Sequence, residues 1–247
     1  MPLNAPRSKM PDRRRHRGRH PADAELFAPS ALPTLRRAVE ELSWLLSRGY
    51  SEPSALKLVG DRHELVARQR TAVGRAACGD EVRGRRVNKR VEVEALAGET
   101  LAIDGFNLLI SVESALSGGL VLRCRDEVWR DLASIHGSYR SVEETDPALT
   151  LVGELCARAK VSAIRWLLDR PISNSGRLRG RMEQLAAERG WLWTVELSDN
   201  PDRPLAAERD AIVASADGLI LDGCARWIDL VTPLLRRVDE PWCVDFA

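Results

Sequence analysis

Apolar residues near the start of the chain recur at helical spacing. Leu35, Val39, Leu42, Leu45 and Leu46, with Ala38 beside them, predict an amphipathic helix over 34–48. Gly49, after Arg48, suits its C-cap. Ser51 followed by Pro53 marks a second start, and that helix is expected to run through Val59 and end at Gly60. A third helix is expected over 61–77, with Leu65, Val66, Ala72 and Val73 on one face and Arg62, Arg68, Arg70 and Arg75 on the other. GDEVRGRRVNKR, residues 79–90, reads as a glycine-interrupted basic linker.

After Ala95 the pattern changes to short, nearly continuous apolar runs between helical stretches. LAIDG, LVLRC, VSAIRWLLD, WLWTVEL and GLILD read as strands. NLLISVESALSGG, RDEVWRDLASI, residues 143–160, RLRGRMEQLAAERG, LAAERDAIVASA and ARWIDLVTPLLRR read as helices, the last interrupted at Pro233. Such alternation is the pattern of a parallel sheet covered on both faces. The expected fold class is therefore an α/β/α sandwich over 96–240, preceded by a small all-helical basic subdomain over 34–95. Residues 1–33, rich in proline and carrying Arg13, Arg14, Arg15, Arg17 and Arg19, are expected to form a disordered arm.

Composition narrows the class. The chain has 247 residues, 44% hydrophobic and 30% charged, which suits a globular protein. No apolar run reaches the length of about 18 residues that a spanning helix needs, so no membrane partner is expected. The basic first 20 residues lack the apolar core of a secretory signal. Cys78, Cys124, Cys156, Cys224 and Cys243 form no CxxC pair, so reduced thiols in a cytoplasmic protein, without a zinc site, are expected. The formal net charge of +1 conceals two unlike parts. Residues 1–95 carry 20 Lys/Arg against 12 Asp/Glu, whereas residues 96–247 carry 17 against 24. A basic part suits a polyanion and an acidic part suits a cation. No helix-turn-helix signature supports sequence-specific DNA reading.

Three expected strands end in aspartate: Asp104, Asp169 and Asp222. The carboxyl ends of parallel strands line one edge of the sheet, where ligands bind. Glu196 and Asp199 are expected near the same edge, and Asp210, on the helix leading into GLILD, is expected to point there. Converging carboxylates need a cation, a basic neighbour or a proton, and hard oxygen donors suit Mg²⁺ or Mn²⁺. Such an ion would activate water for in-line attack on phosphorus. A single aspartate after a strand also serves commonly as a turn starter or helix N-cap. In PISNSGRLRGR, Ser173, Asn174, Ser175 and Gly176 precede a helix whose Arg177, Arg179 and Arg181 add positive charge. That loop reads either as an anion site or as an ordinary cap. His63 and His136 show no ligand spacing, and neither Ser-His-Asp logic nor a Walker loop is present. Trp166, Trp191 and Trp193 are expected in the core.

IDGFNLLI, residues 103–110, resembles the opening strand and helix of PIN/NYN-like nuclease domains, and ERDAIVASADGLILD, residues 208–222, resembles a later part of the same fold. The resemblance implies Asp104, Asp210 and Asp222 as metal ligands and Asn107 as a brace or substrate contact. Those domains often carry a further acid two residues after the last aspartate, where this chain has Cys224. The chain also resembles an uncharacterised two-part family whose halves are domains of unknown function 434 and 5616. LLSRGYSEPSALKLVGDRHELVARQRTAVGRA, residues 45–76, carries the first match, and Leu101 to Arg237 the second. The expected activity is Mg²⁺- or Mn²⁺-dependent hydrolysis of nucleic acid, RNA favoured over DNA. Asp169 is expected as an added ligand or base, and Asn107, Ser173, Asn174, Ser175 and Arg177 as substrate contacts. The alternative is a non-catalytic nucleic-acid-binding or scaffold protein on the same fold. A haloacid-dehalogenase-type phosphatase would need a second aspartate where Phe106 stands.

Overall fold

A computed structural model describes residues 17, 20–133 and 138–247. Five parallel strands form the main sheet: β1 (Thr100–Asp104), β4 (Ala163–Asp169), β5 (Trp193–Ser198), β6 (Ile212–Ala214) and β7 (Trp227–Ile228), in the order β5-β4-β1-β6-β7. The chain leaves β1 toward β4 and β5, then returns to the other side for β6 and β7. The order therefore reverses between β1 and β6, and an open α/β sheet has its ligand crevice at such a reversal.

The strands form because their apolar runs are buried on both faces. Leu101, Ile103, Trp166 and Leu168 enter one core with α6 (Gly105–Leu116), α7 (Thr145–Arg158), α8 (Ser175–Arg189) and α11 (Val231–Leu235). Ala102, Leu167 and Val213 enter a thinner core on the opposite face, beneath the short helices α9 (Asp202–Ala206) and α10 (Gly218–Gly223). A tight turn joins β1 to α6: a Cβ on Gly105 would lie 2.4 Å from Leu168 Cδ2, so only glycine permits this approach to β4.

The helices expected near the start of the chain are α2 (Leu32–Leu46), α3 (Glu52–Arg62) and α4 (Ala67–Ala76). α3 continues through Gly60, which was expected to end it, because the Arg70 guanidinium packs against the bare glycine. The expected linker 79–90 is instead α5 (Asp80–Lys89). Asp80 and Glu81 lie in its first turn, Arg86 and Lys89 in its last, and Arg85 pairs with Glu81. Those charges complement the helix dipole and offset the cost of one interior glycine.

Part of the expected arm is ordered. Residues 20–33 contain α1 (Asp23–Leu26) and the start of α2, Phe27 is buried, and Asp23 pairs with Arg68. Arg17 donates to Glu113 at 2.8 Å, and Glu113 is wholly buried. The remaining arm arginines, Arg7, Arg13, Arg14, Arg15 and Arg19, lie outside the described residues, as does His136.

Four further expectations are corrected. RDEVWRDLASI holds the strand β3 (Trp129–Asp131) rather than a helix. It forms a small sheet with β2 (Val121–Arg123) and β8 (Cys243–Asp245), in the order β3-β2-β8. LAAERDAIVASA is not one helix: it spans the end of α9, a loop, and the strand β6, which pairs with β1. GLILD is the helix α10 rather than a strand, because the Asp217 carboxylate caps it, accepting from Leu219 N and Ile220 N. ARWIDLVTPLLRR divides into β7 and α11.

Leu35, Leu42 and Val73 from the helices share one core with Leu122, Leu132 and Val244 from the small sheet. The N-terminal helices are thus packed on the α/β part through that sheet. No helix among the described residues is long and apolar enough to cross a membrane.

Candidate active site

A crevice of about 1000 Å³ lies between the N-terminal helices and the carboxyl ends of the main strands. Asp104, at the end of β1, lines it together with Asp169, at the end of β4. Asp202, the first residue of α9, and Asp217, before α10, also line it.

Asp104 occupies the N-cap position of α6 but makes no cap bond. Its Oδ2 instead accepts from Ser215 Oγ at 2.8 Å, just beyond β6. The residue is only 5% exposed. Burial pushes its pKa up to about 7; the Ser215 hydrogen bond opposes this, and Asp202, Asp217 and Asp169 add to it. Burial and Asp202 raise Asp169, and burial and Asp217 raise Asp202. Among the described residues no side chain hydrogen-bonds to Asp169 or Asp202, and no basic group pairs with any of the four carboxylates. Of the four only Asp104 is buried, and a buried carboxylate without a basic partner is costly. Asp217, by contrast, is explained by its cap.

The expected residues divide. Asp104, Asp169 and Asn107 are brought together on the crevice wall, and the Asn107 amide has no partner among the described residues. Asp210 is not on a helix. It lies exposed in the loop before β6, at the amino end of the sheet, opposite Asp104. Asp222 lines the crevice but is bound to Arg86, with Nε–Oδ1 at 2.8 Å and Nη2–Oδ2 at 2.9 Å. Glu196 is exposed on the edge strand β5, and Asp199 lies 3.6 Å from Arg170. Neither lines the crevice.

The PISNSG loop is occupied with structure. Asn174 donates to the Tyr139 carbonyl at 2.7 Å, Ser175 Oγ donates to the Arg170 carbonyl, and the Ser173 carbonyl accepts from Tyr139 N. Ser173, Asn174, Ser175 and Arg177 lie outside the crevice lining. Trp166 is fully buried, whereas Trp191 and Trp193 are partly buried. The five cysteines are free thiols.

Asp202, Asp217 and Ser215 were missed by sequence reasoning. The signals were present: Asp202 follows the β5 run in a proline-flanked turn, and Asp217-Gly218 has the form of a helix N-terminus.

The fitness of this set for a metal rests on donor chemistry. The crevice offers hard carboxylate oxygens without a compensating cation, which suits Mg²⁺ or Mn²⁺. No three His, Cys, Asp or Glu side chains among the described residues are grouped to hold a metal between them. The set therefore suits an ion held by one or two carboxylates that keeps several waters, the usual habit of Mg²⁺.

Fold and crevice together define a doubly wound α/β protein with an acidic crevice at its topological switch point, walled by N-terminal helices. The chain belongs to the family described as "Domain of unknown function (DUF5616)", whose model matches residues 93–233. Residues 34–89 match a second model, described as "Protein of unknown function (DUF434)". The chain is similar to "Uncharacterized protein MJ0935" of Methanocaldococcus jannaschii, 29% identical over 192 residues that cover 76% of this chain and 89% of that protein. No solved structure matches.

Proposed function

We propose that the crevice is the active site of a divalent-metal-dependent nuclease of PIN/NYN-like type that hydrolyses RNA phosphodiesters. The observation that carries this reading is Asp104: a buried carboxylate at the switch point, free of capping duty, facing other acids without a basic partner. The strand order and the position of Asp104-Gly105-Phe106-Asn107 at the β1–α6 turn support the PIN/NYN-like part.

Asp104 with Asp169 or Asp202 would hold Mg²⁺ or Mn²⁺. The bound ion would supply charge stabilisation at the scissile phosphate and a more acidic water. Ser215 orients the Asp104 carboxyl by donating to Oδ2, leaving Oδ1 for the ligand. Where Asp202 rather than Asp169 holds the ion, Asp169, whose proton affinity is raised by burial and by Asp202, is suited to take a proton from the attacking water. The Asn107 amide is free to contact substrate. Asp210 and Asp222, expected as ligands from the sequence, are left out of this set for their position and their pairing.

The test is incubation of the purified chain and Asp104→Asn with labelled RNA and Mn²⁺. Cleavage by the wild type that is lost in the variant is expected. No cleavage by the wild type, or equal cleavage by both, sinks the proposal. A second reading, a non-catalytic nucleic-acid-binding protein, is favoured by the lack of a three-ligand group among the described residues. It predicts RNA binding unaffected by Asp104→Asn, with no cleavage under any metal.

A further inference from the structure

Among the described residues, four arginines line the crevice: Arg70, Arg75, Arg86 and Arg130. Three have committed guanidinium groups. Arg70 donates to the Leu65 and Lys57 carbonyls and lies 2.8 Å from Asp61. Arg86 is divided among Asp222, Asp126 and the Gly218 carbonyl. Arg130 grips Asp126 with two nitrogens and reaches the Ala216 carbonyl with its Nε. Arg75 differs. Its Nη1 donates to the Asp131 carbonyl at 2.5 Å and lies 3.9 Å from Asp131 Oδ1, while Nε and Nη2 have no partner among the described residues. The Arg75 side chain is 39% exposed. One fixed nitrogen and two free ones present a pre-positioned fork of the kind that binds phosphate oxygens.

The crevice size limits what can meet this fork. At about 1000 Å³, it stands at the upper end of the range for small-ligand sites, roughly 300–1,000 Å³. That is room for a few unstacked nucleotides. Among the described residues no exposed aromatic ring lines it; Phe106 is buried against Tyr139. Recognition therefore falls on the backbone rather than on base stacking.

We infer that the crevice takes a short single-stranded RNA segment, with Arg75 binding one of its phosphates from the helical wall opposite the acidic floor. The inference rests on the proposed reading of the crevice as a nucleic-acid site and adds its substrate class and a binding residue. It also makes the N-terminal helices part of the substrate site, because α4 supplies the phosphate contact.

The test is fluorescence anisotropy of a labelled six-nucleotide single-stranded RNA, and of a duplex of the same sequence, with the full-length chain. Asp104→Asn is used as the background, so that cleavage does not intervene. Adding Arg75→Ala is expected to weaken single-strand binding about tenfold and to lower the salt slope by about one. Arg75→Lys is expected to recover binding to within about threefold, since it keeps the charge without the fork. Duplex binding is expected to be weaker and indifferent to Arg75→Ala. Thermal melts of each variant verify folding, and Arg75→Gln replaces Arg75→Ala if the latter unfolds. Equal single-strand binding with and without Arg75, absence of single-strand binding, or an equal loss for the duplex overturns the inference. Cleavage plays no part in this readout, so failure of the nuclease reading is scored separately.

Discussion

Asp104 holds its proton near neutrality because burial disfavours the anion and neighbouring carboxylates reinforce that preference. The sign of the consequence follows directly. The folded pKa of about 7 lies above the unfolded value of about 3.9. Between those values the folded chain binds the extra proton, so stability falls as pH rises through the window and levels off above it. Removing the charge in Asp104→Asn, which keeps an oxygen for the Ser215 hydroxyl, should abolish that slope. With a chelator present, urea denaturation at pH 5 and pH 8 should show the wild type losing about 3 kcal/mol relative to the variant, the part of the window that lies above pH 5. Mn²⁺ should restore stability to the wild type alone. A difference between the two chains that does not change with pH would show that Asp104 is not buried as an uncompensated acid.

Arg86 fastens α5 to α10 and to the small sheet, holding Asp222 on one side and the buried Asp126 on the other. Arg86→Ala should therefore cost about 3 kcal/mol in urea denaturation at pH 7, because buried polar groups lose their partner. Asp222→Asn should cost less than about 1 kcal/mol, since Asp222 is exposed. Equal costs would assign the fastening elsewhere. The elements that the sequence made legible are those whose apolar runs are long. β1, β4 and β5, with α2, α6, α7 and α8, read directly from periodicity, and with them the edge that holds Asp104 and Asp169. The misread elements of the α/β part are short, and the longer α5 was missed because its basic, glycine-interrupted sequence carries no apolar stripe. AIVA and GLILD have similar apolar content, and periodicity does not separate a buried strand from one turn of helix at that length. The deciding feature was Asp217, a cap that depends on geometry as well as residue type. The same error moved the expected site toward Asp210 and Asp222 and hid Asp202, which reaches the crevice only because α9 folds back over β1.

The basic and acidic parts of the chain do not behave as independent bodies. The exposed face that β2, β3 and β8 would otherwise present is covered by Leu35, Leu42 and Val73 of the N-terminal helices. A fragment over 93–247 should therefore expose that face, bind a hydrophobic dye and melt without a sharp transition, whereas the full chain melts cooperatively. A fragment that melts as sharply and as high as the full chain would mean that the shared core contributes little. The helical part brings Arg75 to the crevice and the sheet brings Asp104, so both parts of the chain line it.

The most direct measurement of the central claim compares Asp104→Asn with Asp210→Asn in Mn²⁺-dependent cleavage of labelled single-stranded RNA. Both replacements remove one carboxylate, one at the carboxyl edge of the sheet and one at the amino edge. Cleavage at least a hundredfold slower in Asp104→Asn, with Asp210→Asn close to wild type, is the expected result. Cleavage that survives Asp104→Asn, or that is lost equally in both, would contradict an active site in the crevice at the β1–β6 switch point.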